Sequence, residues 1–181
     1  MDYIIFDLEA TCWEGNQMHR KQEIIEIGAV RLDAYGKRLS SFQKFIKPSE
    51  HPMLSPYCRQ LTGIQQREID SARDFRHAGR QFIEWVLGTD EDYTLCSWGA
   101  RDRALLTSDC ASAGLETDWL VPYIDLKLQY HQINGLQRKL GLKKCLLREG
   151  MVFDGNHHRA LDDAMNLAGL FLRYLDIWVI P

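Results

Sequence analysis

Three strand-length apolar runs open this chain: Tyr3–Leu8, Ile24–Leu32 and Leu39–Ile46, the last closed by Pro48. Gly36-Lys37 supplies a hairpin turn between the second and third. After them the pattern changes. Asp74–Leu87 places Phe75, Ala78, Gly79, Phe82 and Val86 at helical spacing, Tyr93–Ser97 is a short strand, and a helix runs from about Arg101 to Ala113, where Gly114 stops it. Tyr123–Asp125 is a last short strand, and Arg159–Leu175 carries Leu161, Ala164, Leu167, Ala168, Phe171, Leu172 and Leu175 along one stripe. An antiparallel three-strand start followed by strand–helix alternation predicts a mixed sheet with helices on its faces.

Composition narrows the class. At 181 residues, with 45% apolar and 26% charged residues, the chain is neither disordered, collagen-like nor coiled coil, and a single domain spanning 1–181 is the expectation. The first ten residues hold Asp2, Asp7 and Glu9 but no Lys or Arg, the reverse of a signal peptide, and no apolar run approaches the roughly 20 residues of a membrane helix. The expectation is therefore no membrane partner and a cytoplasmic location. Cys12, Cys58, Cys96, Cys110 and Cys145 are odd in number, spread out and never in a C-x-x-C pair, which favours free thiols in a reducing compartment. Lys and Arg number 22 against 25 Asp and Glu, a formal charge of −3. That argues against nucleic-acid binding by bulk positive charge, but not against an enzyme that meets phosphates through bound metal.

Three groups of residues carry chemistry. Asp7 and Glu9, at the end of the first strand, share one face about 7 Å apart by strand rise. Two carboxylates leaving an apolar run repel each other in a partly buried site, and a divalent cation with oxygen ligands relieves that repulsion; the alternative is a strand that has already ended and points both acids at water. In His158-Arg159-Ala160-Leu161-Asp162-Asp163 the acids open the last helix, where they also complement its dipole. In Ser97-Trp98-Gly99-Ala100-Arg101-Asp102 the acid stands where a strand becomes a helix, and a favourable first-turn position explains it equally well.

Taken together and in this order, the three groups resemble the DEDDh 3′→5′ exonucleases of the ribonuclease-H-like (DnaQ-like) fold, a mixed five-stranded sheet flanked by helices. Asp7 and Glu9 match the first motif, Asp102 the second, and His158 with Asp163 the third. The tyrosine form of the family places Tyr four residues before the last Asp, where this chain has Arg159; His157 has the wrong spacing for the histidine form and is taken as a neighbour. Leu8-Glu9-Ala10-Thr11-Cys12, Glu23-Ile24-Ile25-Glu26-Ile27-Gly28, Leu61-Thr62-Gly63-Ile64 and Ser97-Trp98-Gly99 resemble the branch with the Eri-type and KapD-type enzymes and the histone-mRNA 3′ exonuclease.

The resemblance implies two Mg²⁺ or Mn²⁺ ions. Asp7 bridges them, Glu9 and Asp163 complete one site, Asp102 holds the other, and His158 acts as general base. It implies a single-stranded substrate with a free 3′ end, RNA favoured over DNA, and nucleoside 5′-monophosphate products. A DNA-trimming or proofreading exonuclease and a catalytically silent nucleic-acid-binding adaptor are the alternatives; a protein partner is unspecified. Substrate contacts are expected from Thr11, Cys12 and Trp13 and from a wedge at Leu61 and Thr62, with a core role for Trp13 as the competing reading. Arg101, Arg103, Lys143 and Lys144 are read as solvated charge or as backbone contacts. Trp85, Trp98, Trp119 and Trp178 are read as filler, and the apolar Trp178-Val179-Ile180 as a docking segment for this chain's core or a second subunit.

Overall fold

A computed structural model describes residues 1–15 and 19–181. Its elements are β1 (Asp2–Ala10), β2 (Ile24–Leu32), β3 (Arg38–Lys47), α1 (Pro56–Thr62), α2 (Gln66–Ser71), β4 (Arg73–Asp74), α3 (Phe75–Leu87), β5 (Tyr93–Ser97), α4 (Ala100–Ala113), β6 (Tyr123–Asp125), α5 (Leu126–Ile133), α6 (Leu142–Arg148) and α7 (Ala160–Arg173). The sheet order is β4-β3-β2-β1-β5-β6, with β1, β2 and β3 antiparallel and β5 and β6 parallel to β1. The expected five-stranded sheet thus has six strands. The addition is the two-residue β4, parallel to the end of β3 at Ile46–Arg73 and Lys47–Asp74, a span too short to leave a period in the sequence.

The strand pleat divides the core. Tyr3 and Ile5 of β1 and Val30 and Leu32 of β2 face a cluster built with α5, α6 and α7. Ile4, Phe6 and Leu8 face the opposite cluster, with Ala78, Phe82 and Val86 of α3 and Leu106 and Cys110 of α4. By the same alternation Asp7 and Glu9, and opposite them Gly28 and Glu26, lie on the α7 face. Gly28 has no room for a side chain: a Cβ there lies 2.1 Å from Ala160 C and Leu161 N.

The β2–β3 hairpin turns at Gly36 (φ +83°), with Asp33 Oδ1 accepting from the Tyr35 and Lys37 amides at 2.9 Å. Gly114, at φ +65°, ends α4 as expected. The carboxyl-terminal segment docks on its own domain: Trp178 stacks on Phe171 and donates Nε1–H to the Phe171 carbonyl at 2.8 Å, while Gln129 clasps both backbone groups of Val179. All five cysteines are free, and Cys58, Cys96, Cys110 and Cys145 are buried.

Candidate active site

β1 and β5 run parallel and end at the same edge, so the acids closing β1 and the turn leaving β5 come together. The strand continues through Ala10, so Asp7 and Glu9 belong to the pleat and not to a solvent-pointing tail. After β5, Ser97 Oγ and Tyr123 Oη lie 2.9 Å apart and each donates to the Gly99 carbonyl at 2.9 Å. This fixes the Gly99 turn (φ +114°), which feeds α4 and brings Asp102 into its first turn.

The third contributor, α7, is set by a carboxylate of β2. Buried Glu26 accepts from the Arg159 guanidinium at 3.2 Å through both oxygens, from the Ala160 amide at 3.1 Å and from Gln43 Nε2 at 2.7 Å. The Ala160 contact caps a helix whose own N-cap residue, Arg159, makes no side-chain cap bond. Arg159 also lies over the Phe45 ring at 5.0 Å. With Gly28 admitting the helix backbone to contact, Glu26 and Arg159 determine where Asp163 and His158 stand.

Asp7, Glu9 and Asp163 converge so that one oxygen of each lies within 4.8 Å of the others. His158 Nδ1 is 3.9 Å from Glu9 Oε1, and His157 Nε2 is 3.9 Å from Asp163 Oδ1. The two imidazoles pack at 3.9 Å between centroids, and His158, at φ +67°, donates its backbone amide to Asp163 Oδ2 at 2.8 Å. A non-glycine residue in that left-handed region is backbone strain stored at the site.

The electrostatics are those of uncompensated negative charge. Desolvation, then the fields of Asp102, Asp163, Glu9 and Glu26, hold Asp7 well above the usual carboxylate range. Desolvation, with Asp163 and Glu26 beside it, pushes Glu9 up to about 8. Desolvation raises Asp102 to about 7, and Asp163 to about 7 against the lowering hydrogen bond from His158. Desolvation and the charge of Lys143 lower His158.

These groups line a cleft of about 1270 Å³ that also takes in Cys12, Trp13, Tyr57, Leu61, Trp98, Arg101 and Lys127. Cys12, Trp13 and Leu61 therefore reach the site, and Trp13 meets the edge of His51 at 4.8 Å. Thr11 and Thr62 do not line it, because their hydroxyls serve the fold. Thr11 Oγ1 accepts from the Glu23 amide at 3.0 Å; Thr62 Oγ1 donates to the Cys58 carbonyl at 2.8 Å and accepts from the Ile64 amide at 3.2 Å. Both are 2% exposed, so the expected substrate contacts give way to internal bonds. Trp98 packs against Tyr130 of the core as expected and also walls the cleft, Trp85 and Trp119 pack in the α3–α4 core, and Arg103 lies over Tyr123 at 5.0 Å. His157, whose spacing does not fit the histidine form, shares the cleft because the left-handed backbone of His158 itself sets the two adjacent rings against each other. Tyr57 was passed over because a seven-residue helix is too short to show a period.

The fold and this convergence of acids define the class: a ribonuclease-H-like, DEDDh-type nuclease domain. A family model described as "Exonuclease" (RNase_T) matches residues 4–171, and the chain belongs to that family. It is 34% identical over 96% of its length to the human 3'-5' exoribonuclease 1, covering 52% of that protein. It is likewise 34% identical over 92% of its length to the human ERI1 exoribonuclease 2, covering 27% of it, so the chain spans about a quarter to a half of these relatives. Among solved structures, the nuclease domain of 3'hExo, described as a DEDDh family member bound to rAMP, superposes with a TM-score of 0.89 at 32% identity. That match covers 97% of this chain and 92% of the other.

Proposed function

We propose that this chain is a divalent-metal-dependent 3′→5′ exonuclease that releases nucleoside 5′-monophosphates from single-stranded RNA. The observation that carries the reading is the meeting of Asp7, Glu9 and Asp163 within 4.8 Å, with no Lys or Arg paired to any of them among the described residues. Carboxylate oxygens are the donors hard cations prefer, and the raised pKa values mark a site whose charge the protein leaves unbalanced. The preference for RNA draws on the relatives, named exoribonucleases, and on the rAMP held by the structural neighbour.

Asp7, Glu9 and Asp163 would hold one ion, and Asp7 with Asp102 a second. When bound, such ions supply a water of lowered pKa and neutralise charge growing on the phosphate. His158 takes the proton from the attacking water. Its depressed pKa keeps the ring neutral and ready to accept near neutral pH, and Glu9, 3.9 Å away, favours the imidazolium that results. Trp13 and Leu61 offer the apolar surface against which a terminal base stacks.

Matched single-stranded RNA and DNA oligonucleotides, incubated with Mg²⁺, Mn²⁺ or EDTA, test the reading. It expects one-nucleotide steps from the 3′ end that need metal and run faster on RNA. Faster steps on DNA would transfer the assignment to a DNA-trimming enzyme. A folded protein that binds the strand but leaves it intact with either metal would be an adaptor.

A further inference from the structure

The cations around the cleft fall into two groups by what they touch. On the Trp13 side each has a protein partner. The Arg20 guanidinium lies over the Trp13 ring at 5.0 Å, Lys21 donates to Ser112 Oγ at 3.0 Å and pairs with Glu50 at 3.5 Å, and Arg101 donates to Gln22 Oε1. Across the acid cluster, Lys127 of α5 and Lys139 of the loop before α6 line the cleft, and Lys143 stands in the first turn of α6, directly after the cleft-lining Gly141 and Leu142. Among the described residues none of these three ammonium groups forms an ion pair. The nearby acid Asp125 is engaged in capping α5, its Oδ1 accepting from the Leu128 amide at 2.9 Å. Lys127 lays its stem beside Gly99, the turn that delivers Asp102, with Cδ 3.5 Å from where a Gly99 Cβ would stand.

We infer that Lys127, Lys139 and Lys143 form a phosphate-binding subsite for the nucleotides on the 5′ side of the cleaved bond. The strand then crosses the acids with its terminal base towards Trp13 and its body over α5 and α6. Chemistry sets this direction. A terminal nucleotide brings only the phosphate being cleaved, so its end of the cleft needs apolar surface. The body of the strand brings one further charge per nucleotide and needs cations free to meet it.

The inference rests on the exonuclease reading for its direction, and its test separates the two. Binding of a fluorescent ten-nucleotide single-stranded RNA is measured against KCl concentration, with Ca²⁺ present, for the unsubstituted protein and for Lys127→Ala/Lys139→Ala/Lys143→Ala. Losing three phosphate contacts on a single strand should flatten the log–log salt slope by about 2. The triple Lys→Arg variant should restore the slope. Under turnover conditions the alanine variant should lose much more kcat/KM on the ten-nucleotide strand than on a dinucleotide, which has no phosphate beyond the cleaved one and so feels only the loss of Lys143's charge at His158. An unchanged salt slope, or equal losses on both substrates, overturns the subsite. If the unsubstituted protein cleaves neither strand, the exonuclease reading falls, and the salt slope alone decides whether the lysines hold phosphate.

Discussion

Glu9 and Glu26 are direct cross-strand partners on β1 and β2, both buried and on the same face of the sheet, yet their surroundings have opposite character. Glu26 is saturated: a guanidinium, a helix-opening amide and a carboxamide fill its lone pairs. Glu9 faces two other carboxylates and an imidazole at 3.9 Å. The difference teaches that depth does not mark the reactive acid. A buried carboxylate with its partners in place is architecture, whereas one left among like charges is a place for a ligand.

The largest effect should come from the unpaired side. Asp7→Ala should abolish turnover and remove metal-induced stabilisation while the metal-free protein stays folded, since one charge leaves a repulsive cluster; residual cleavage at the original rate would contradict the metal assignment. His158→Ala should slow turnover by about 10²–10⁴-fold, the range for a lost general base, with the calorimetric metal affinity nearly unchanged.

Stability then separates the two glutamates by sign. Glu26→Gln should cost about 3 kcal/mol, the low end for breaking a buried pair because Arg159 keeps some solvent contact. In a chain of 181 residues that is a fall of roughly 6–12 °C in Tm. Glu9→Gln, measured in EDTA, should raise Tm, and matching shifts in one direction would dissolve the contrast.

The pH profile sharpens the same point. Without metal, the folded protein keeps protons on Asp7, Glu9, Asp102 and Asp163 that the unfolded chain has released, so stability should fall as pH rises from about 5 to about 8. The lowered His157 and His158 give the opposite slope, confined to pH below their ordinary 6.5, so the decline should be cleanest above that value. Melting curves in EDTA that stay flat or rise between pH 6.5 and 8 would exclude the raised carboxylates. The smallest effect belongs to Asp162→Asn, whose carboxylate only accepts from the Asn156 amide at 2.7 Å. Its turnover should stay close to that of the unsubstituted chain while Asp163→Asn is inactive in the same assay.

The reactive half of this contrast was legible in the sequence, and the supporting half was not. Asp7 and Glu9 announce themselves through strand alternation, and Asp102, His158 and Asp163 through order and spacing, because each follows from its neighbours in the chain. Glu26 and Arg159 stand 133 positions apart, and nothing local distinguishes their pairing from two solvated charges. Length decided which elements showed: α3, α4 and α7, of 13 or 14 residues, carry a readable period or stop signal, whereas α1, α2 and α6, of six or seven residues, do not. Thr11 and Thr62 were placed at the substrate by their neighbourhood in the motifs, but a hydroxyl is as well suited to closing a turn, and that is its use here.

The missing side chain at Gly28 works as a gauge. The spacing between the acids of β1 and the acid of α7 is set by two backbones in contact, with no compressible group between them to absorb error. Such a gap widens only in whole-atom steps: the smallest substitution inserts a methyl group where 2.1 Å is available and drives the strand and helix apart together. Tolerance to change is therefore narrow at a position that bears no charge, donates nothing to a ligand and lies far in sequence from the helix it gauges.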